Sequence, residues 1–154
     1  MAVYFLDTSA IVKRHVQETG TSWVRNLTRI GTPHRIYLAR ITAVEVCAAI
    51  TRRQRGGSLP LAQTAAILAR FRRHLALRYR VIEITPPLLS GSMGLAETHG
   101  LRAYDAVQLA VALELHQQRV TAGWSRVTLV SADRELNSAA TASGLLVEYP
   151  NDYP

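Results

Sequence analysis

Four of the eleven acidic residues stand where a carboxylate is either costly or well placed for chemistry. Asp7 ends the apolar run VYFL, and Asp133 follows RVTLVSA and precedes RELNSAATA, so both sit at a strand-to-helix boundary. Glu45 lies in ITAVEVCAAI and, on a helix, shares a face with Ile41, Ala48 and Ala49. Asp105 lies in LRAYDAVQLAVAL and shares a face with Leu101, Leu109 and Ala112. A carboxylate on an apolar stripe costs several kcal/mol to bury alone and needs an arginine or a cation beside it. Each acid also has a separate structural explanation. Asp7 and Asp133 can cap helices, although Ala10 and Leu136 stand where a reciprocal capping box wants Glu or Gln. Asp105, near a helix start, is favoured by the helix dipole, and Glu45 can pair with Arg52, seven residues on. One shared divalent cation accounts for all four acids together. Oxygen-only ligands select Mg²⁺ or Mn²⁺ over zinc. His15, His34, His74, His99 and His116 show no paired zinc spacing, and the single cysteine, Cys47, excludes a cysteine-based zinc cluster.

The rest of the composition says what meets these acids. Of 154 residues, 48 % are hydrophobic and 19 % charged, as in a soluble globular domain with a real core. The net charge is +7, and every basic residue except Lys13 is arginine. Such a chain attracts polyanions, and guanidinium groups grip phosphate in two-pronged fashion. Arg52, Arg53 and Arg55 follow Glu45, and Arg70, Arg72 and Arg73 lie on the next helical segment. These six either hold phosphates, form a solvated helical hairpin or lie under a protein partner. Cys47, within VEVCAAI, reads as a buried and inert thiol in a reducing cytoplasm. MAVYFLD lacks the basic start of a secretory signal, and the longest other apolar run, near Leu109 to Leu113, is too short to cross a bilayer. A cytoplasmic protein with no membrane association is expected.

Strands and helices must alternate to position these groups. The pattern predicts strands over Ala2–Leu6, Arg35–Ala39, Val81–Ile84, Arg126–Ser131 and Leu146–Tyr149. It predicts helices over Ser9–Val16, Ser22–Ile30, Thr42–Arg55, Leu61–Tyr79, Pro87–His99, Arg102–Arg119 and Arg134–Ser143, and then a polar tail. That alternation means one α/β domain over 1–154 with a mostly parallel sheet. Parallel strands put Asp7 and Asp133 on the same carboxyl edge, where ligands bind.

The segments YFLDTSAIVKRHVQETGTS, TAVEVCAAITR, LRAYDAVQLAVALEL and LVSADRELNSAATASGLLVEYP, in this order, resemble the four acidic segments of PIN-domain proteins of the VapC toxin type. The resemblance implies a PIN-like three-layer α/β/α sandwich. It also implies a Mg²⁺- or Mn²⁺-dependent endoribonuclease that hydrolyses phosphodiester bonds of structured RNA, such as tRNA or rRNA, leaving 5′-phosphate ends. As partners it implies a cognate antitoxin and a second copy of the chain. Catalytic and metal-holding roles carry onto Asp7, Glu45, Asp105 and Asp133, with support from Thr8 and Ser9. Ser131 stands where a threonine is common and keeps the hydroxyl, and Asn137, one turn after Asp133, falls where it can orient ligands. Two related readings are a PIN-type RNA-processing nuclease that is not a toxin, and a module that only binds RNA or protein. A haloacid-dehalogenase-like phosphatase is disfavoured, because its second aspartate is replaced by Ser9.

Overall fold

The structure is a computed structural model and describes residues 1–154. Five strands form one parallel sheet: β1 (Val3–Leu6), β2 (Arg35–Ala39), β3 (Arg80–Ile82), β4 (Val127–Val130) and β5 (Leu146–Glu148). Their spatial order is β3-β2-β1-β4-β5. The helices are α1 (Thr8–His15), α2 (Thr21–Leu27), α3 (Arg40–Arg55), α4 (Leu61–Leu77), α5 (Pro86–His99), α6 (Ala103–Thr121) and α7 (Arg134–Ala142).

Alternate residues of each strand point to opposite faces of the sheet, and the core divides accordingly. Val3, Phe5, Val127 and Leu129 pack with Leu109, Ala112 and Leu115 of α6 and Leu136 and Ala140 of α7. Leu6, Ile36, Leu38 and Val130 pack against Ile11 of α1, Val24 of α2, Val46 and Ile50 of α3, and Phe71 of α4. The outcome is the expected three-layer α/β/α arrangement, with α1 to α4 on one face and α5 to α7 on the other.

Element boundaries moved where local chemistry overrode the hydrophobic pattern. α1 begins at Thr8 because Asp7 accepts a hydrogen bond from the Ala10 N–H, so the cap itself fixes the first turn. α3 begins at Arg40, directly after β2, with no loop between strand and helix. The tail is ordered as a 3₁₀ turn, Pro150–Asp152, packed on α2 beside Gly20. Gly20 adopts a left-handed φ of 82°, and a Cβ there would lie 2.4 Å from the Pro150 carbonyl oxygen, so no other residue fits without moving the tail.

β1 sits between β2 and β4, where the chain direction of successive connections reverses. The Asp7 N–H donates to the Val130 carbonyl at 3.2 Å and extends the β1–β4 pairing by one step. In open parallel sheets this switch point, at the carboxyl ends of the strands, is where a ligand crevice forms.

Candidate active site

Asp7 emerges from β1 at that crevice and is only 4 % exposed. Its Oδ1 accepts from the Ala10 N–H at 2.9 Å and from Ser9 Oγ at 2.7 Å. Its Oδ2 accepts from Ser131 Oγ at 2.9 Å. Burial pushes its carboxyl up to about 6, against the pull of these hydrogen bonds, and the nearby Asp105 charge pushes the same way as burial. The two serines are themselves fixed: Ser9 Oγ accepts from the Ala132 N–H at 2.8 Å and Ser131 Oγ from the Asp133 N–H at 3.0 Å. Asn137 Nδ2 donates to the Ser131 carbonyl at 2.9 Å, so it braces the turn between β4 and α7.

Asp133 caps α7 by accepting from the Leu136 N–H at 3.0 Å. Asp105 lies in the first turn of α6. Its carboxyl is also raised to about 6, first by burial and then by the Asp133 and Glu45 charges, with Arg102 opposing. Asp7, Asp105 and Asp133 line one cleft of about 320 Å³, together with Thr8, Ser9, Lys13, Glu18 and Arg53. The cap and ligand readings of Asp7 and Asp133 are therefore compatible, because each carboxylate caps a helix while lining the cleft.

Glu45 is placed differently. It does not line the cleft, and it does not pair with Arg52. Its Oε2 accepts from Thr8 Oγ1 at 2.7 Å and from Gln108 Nε2 at 2.7 Å, so Thr8 stands between it and the cleft. Gln108, buried on α6, also donates to Thr42 Oγ1 at 2.9 Å and ties α3 to α6 behind the cleft. Gln108 was missed from the sequence, although it lies three residues after Asp105 on the same helical face. Lys13 and Glu18 were missed as well. Lys13 is buried, its Nζ donates to the Thr19 carbonyl at 2.9 Å and stands 3.8 Å from Glu18, and Glu18 is 3.5 Å from Arg53.

Of the six candidate arginines, Arg53 alone reaches the cleft. Arg52, Arg55 and Arg72 are exposed on α3 and α4, whereas Arg70 and Arg73 line a separate groove.

The donor set suits a hard divalent cation: it consists of carboxylate and hydroxyl oxygens, and its acids disfavour one another's ionisation. The carboxylates border an open cleft, and no three of them already converge into a ligand group. The arrangement can offer oxygen ligands and a phosphate-sized space under a guanidinium. No helix is long and apolar enough to cross a membrane.

No curated protein matches the sequence significantly. Solved structures with the same fold include FitAcB from Neisseria gonorrhoeae, at 18 % identity and a TM-score of 0.66, covering 96 % of this chain and 97 % of that one. VapC20 from Mycobacterium tuberculosis, described as a sarcin-ricin loop cleaving toxin, aligns at 17 % identity and 0.63, covering 93 % and 96 %. VapBC2 from Rickettsia felis, bound to a promoter DNA fragment, aligns at 16 % identity and 0.62, covering 96 % and 98 %. The PIN domain family matches residues 4–141, so the order of strands, the switch-point cleft and the spacing of its acids have one common explanation: the chain belongs to the PIN domain family.

Proposed function

We propose that this protein is a divalent-metal-dependent endoribonuclease that acts as the toxin of a toxin–antitoxin pair. The observation that carries this reading is the cleft at the switch point, where Asp7, Asp105 and Asp133 face a common space in a chain of net charge +7. PIN domain proteins are nucleases, which supports the reaction class. VapC20, described as a sarcin-ricin loop cleaving toxin, supports an RNA target and a toxin role; a cognate antitoxin and a cytoplasmic setting belong to the same proposal.

Asp7, Asp105 and Asp133 would hold Mg²⁺ or Mn²⁺, with Glu45 acting through Thr8. A divalent cation supplies Lewis acidity to phosphodiester hydrolysis and lowers the pKa of the water it binds. Ser9 and Ser131 hold the Asp7 carboxylate in one orientation. Arg53, held by Glu18 at the cleft rim, meets a non-bridging phosphate oxygen. Thr8 and Gln108 both donate to Glu45 Oε2 and hold it in place behind the cleft. A second copy of the chain completes the expected assembly.

The test is cleavage of a cellular RNA pool with and without EDTA, by wild type, Asp7→Asn and Asp105→Asn. Wild type should cleave only with Mg²⁺ or Mn²⁺, and both variants should lose at least about 100-fold, the usual scale for removing a group that acts in the transition state. Cleavage that survives chelation and both substitutions refutes the proposal.

A further inference from the structure

The α4 arginines do not converge on the carboxylates. Arg70, Arg73 and Arg78 line a groove of about 690 Å³ with His74, Leu77 and Ile30. Ile30 lies in the connection into β2 and Arg78 just before β3, so the groove opens at the amino edge of the sheet. Asp7 and Asp133 lie at the carboxyl edge, and a four-residue strand spans ~13 Å between them.

This basin is built from donors. Arg14 of α1 donates through Nε to His74 Nδ1 at 3.4 Å and through Nη1 to Thr28 Oγ1. Arg25 of α2 donates to the Arg14 carbonyl at 3.1 Å, and Arg78 Nη2 to the Thr28 carbonyl at 2.6 Å. Arg78 Nη1, the Tyr79 hydroxyl and both His15 ring nitrogens are buried without a partner. His15 and Tyr79 are each more than nine-tenths buried. No carboxylate lines the groove, and the three ion pairs of the protein all lie elsewhere. His15 is held down to about 3 and His74 to about 4, by burial first and by the surrounding arginines next.

Guanidinium groups gathered with no counter-charge repel one another, and buried donors without acceptors are costly. An acceptor-rich anion in the groove relieves that repulsion and meets Arg78, the one of these unpartnered groups that lines it. Arg70 and Arg73 on α4 and Arg78 just past its end spread the charge over roughly 10 Å, which suits successive phosphates of a strand better than one two-oxygen carboxylate. We propose that this basin binds phosphate oxyanions of a nucleic-acid backbone, at the sheet edge opposite the cleft. The identity of the polyanion rests on the nuclease reading above; the oxyanion chemistry does not.

Binding is measured by anisotropy of a labelled single-stranded RNA about 20 nucleotides long, in EDTA, across a salt series. Arg70→Ala/Arg73→Ala should weaken the Kd roughly tenfold and reduce the log–log salt slope by about 1.4, two single-strand phosphate contacts. Arg70→Lys/Arg73→Lys, which keeps the charge, should keep the slope. Arg126→Ala, exposed before β4, should leave it unchanged. An unchanged slope in the alanine pair overturns the proposal, as does an equal drop with Arg126→Ala. Saturable inorganic phosphate binding with an unaltered RNA slope overturns the nucleic-acid source. Tighter binding of a polyglutamate peptide than of RNA overturns the ligand class. Because EDTA separates binding from cleavage, wild type that binds RNA through the basin yet cleaves nothing in Mg²⁺ would sink only the nuclease reading.

Discussion

Asp7→Asn should make the metal-free protein more stable at neutral pH. The Asp7 carboxyl rises from 3.8 to about 6 on folding. An acid whose folded pKa is raised binds its proton more tightly in the native state. Its contribution is therefore present below the lower value, declines as pH rises through the interval, and becomes a full penalty above about 6. The gap corresponds to about 3 kcal/mol against folding at pH above 7. Asparagine removes that penalty and keeps an acceptor for the Ala10 N–H. It loses one acceptor for Ser9 and Ser131, at about 1 kcal/mol. A net gain of about 2 kcal/mol should raise Tm by about 4–8 °C for a chain of this size. The assay is thermal unfolding by circular dichroism in EDTA, near pH 7.5 and again near pH 5. The advantage should shrink at the lower pH, where wild-type Asp7 is protonated. A variant that melts lower than wild type at neutral pH, or whose advantage is the same at both, would refute the electrostatic reasoning and leave Asp7 as an ordinary cap.

Other substitutions probe the surroundings. Millimolar Mg²⁺ or Mn²⁺ should raise the Tm of wild type and not of Asp7→Asn, read in the same melts. Gln108→Leu should cost about 1–3 kcal/mol by leaving Glu45 and Thr42 short of a donor, measured by urea unfolding. Gly20→Ala should destabilise by more than about 1 kcal/mol, through its left-handed φ and the clash with Pro150. It should also expose the tail, seen as faster proteolysis near Tyr153 and altered Trp23 fluorescence as their ring stack at 4.6 Å opens. Arg40→Ala, which removes an exposed pair with Glu83, should leave the urea midpoint essentially unchanged, because solvent screens the pair.

The fold was legible because its strands are short apolar runs set off by helices whose periodicity changes abruptly, as in VYFL before Asp7 and RVTLVSA before Asp133. Parallel pairing then followed from the alternation, and with it the shared edge of those two acids. The partners of Glu45 were not legible. Arg52, on the same helical face, is a plausible partner in sequence, but the contact came from Gln108, 63 residues away across the helical layers. The arginine groups misled in the same way: a local run reads as one patch, yet helix geometry turned Arg53 into the cleft and Arg70 and Arg73 to a different groove. Lys13 and Glu18 gave no signal, because their role depends on a turn between α1 and α2 that folds back over the crevice.

The pairing of the first strand with the fourth carries a consequence for synthesis. Val3 pairs with Val127, and Ser131 holds Asp7 across 124 positions of chain. While the chain is being made, Asp7 emerges early but has no crevice wall on its β4 side until Ser131 and Asp133 have left the ribosome. Contacts so distant in sequence close late in folding. An interrupted polypeptide ending before β4 therefore lacks one side of the carboxylate cleft altogether. Built this way, the site is withheld from the nascent chain and forms only once synthesis has passed β4 and Asp133.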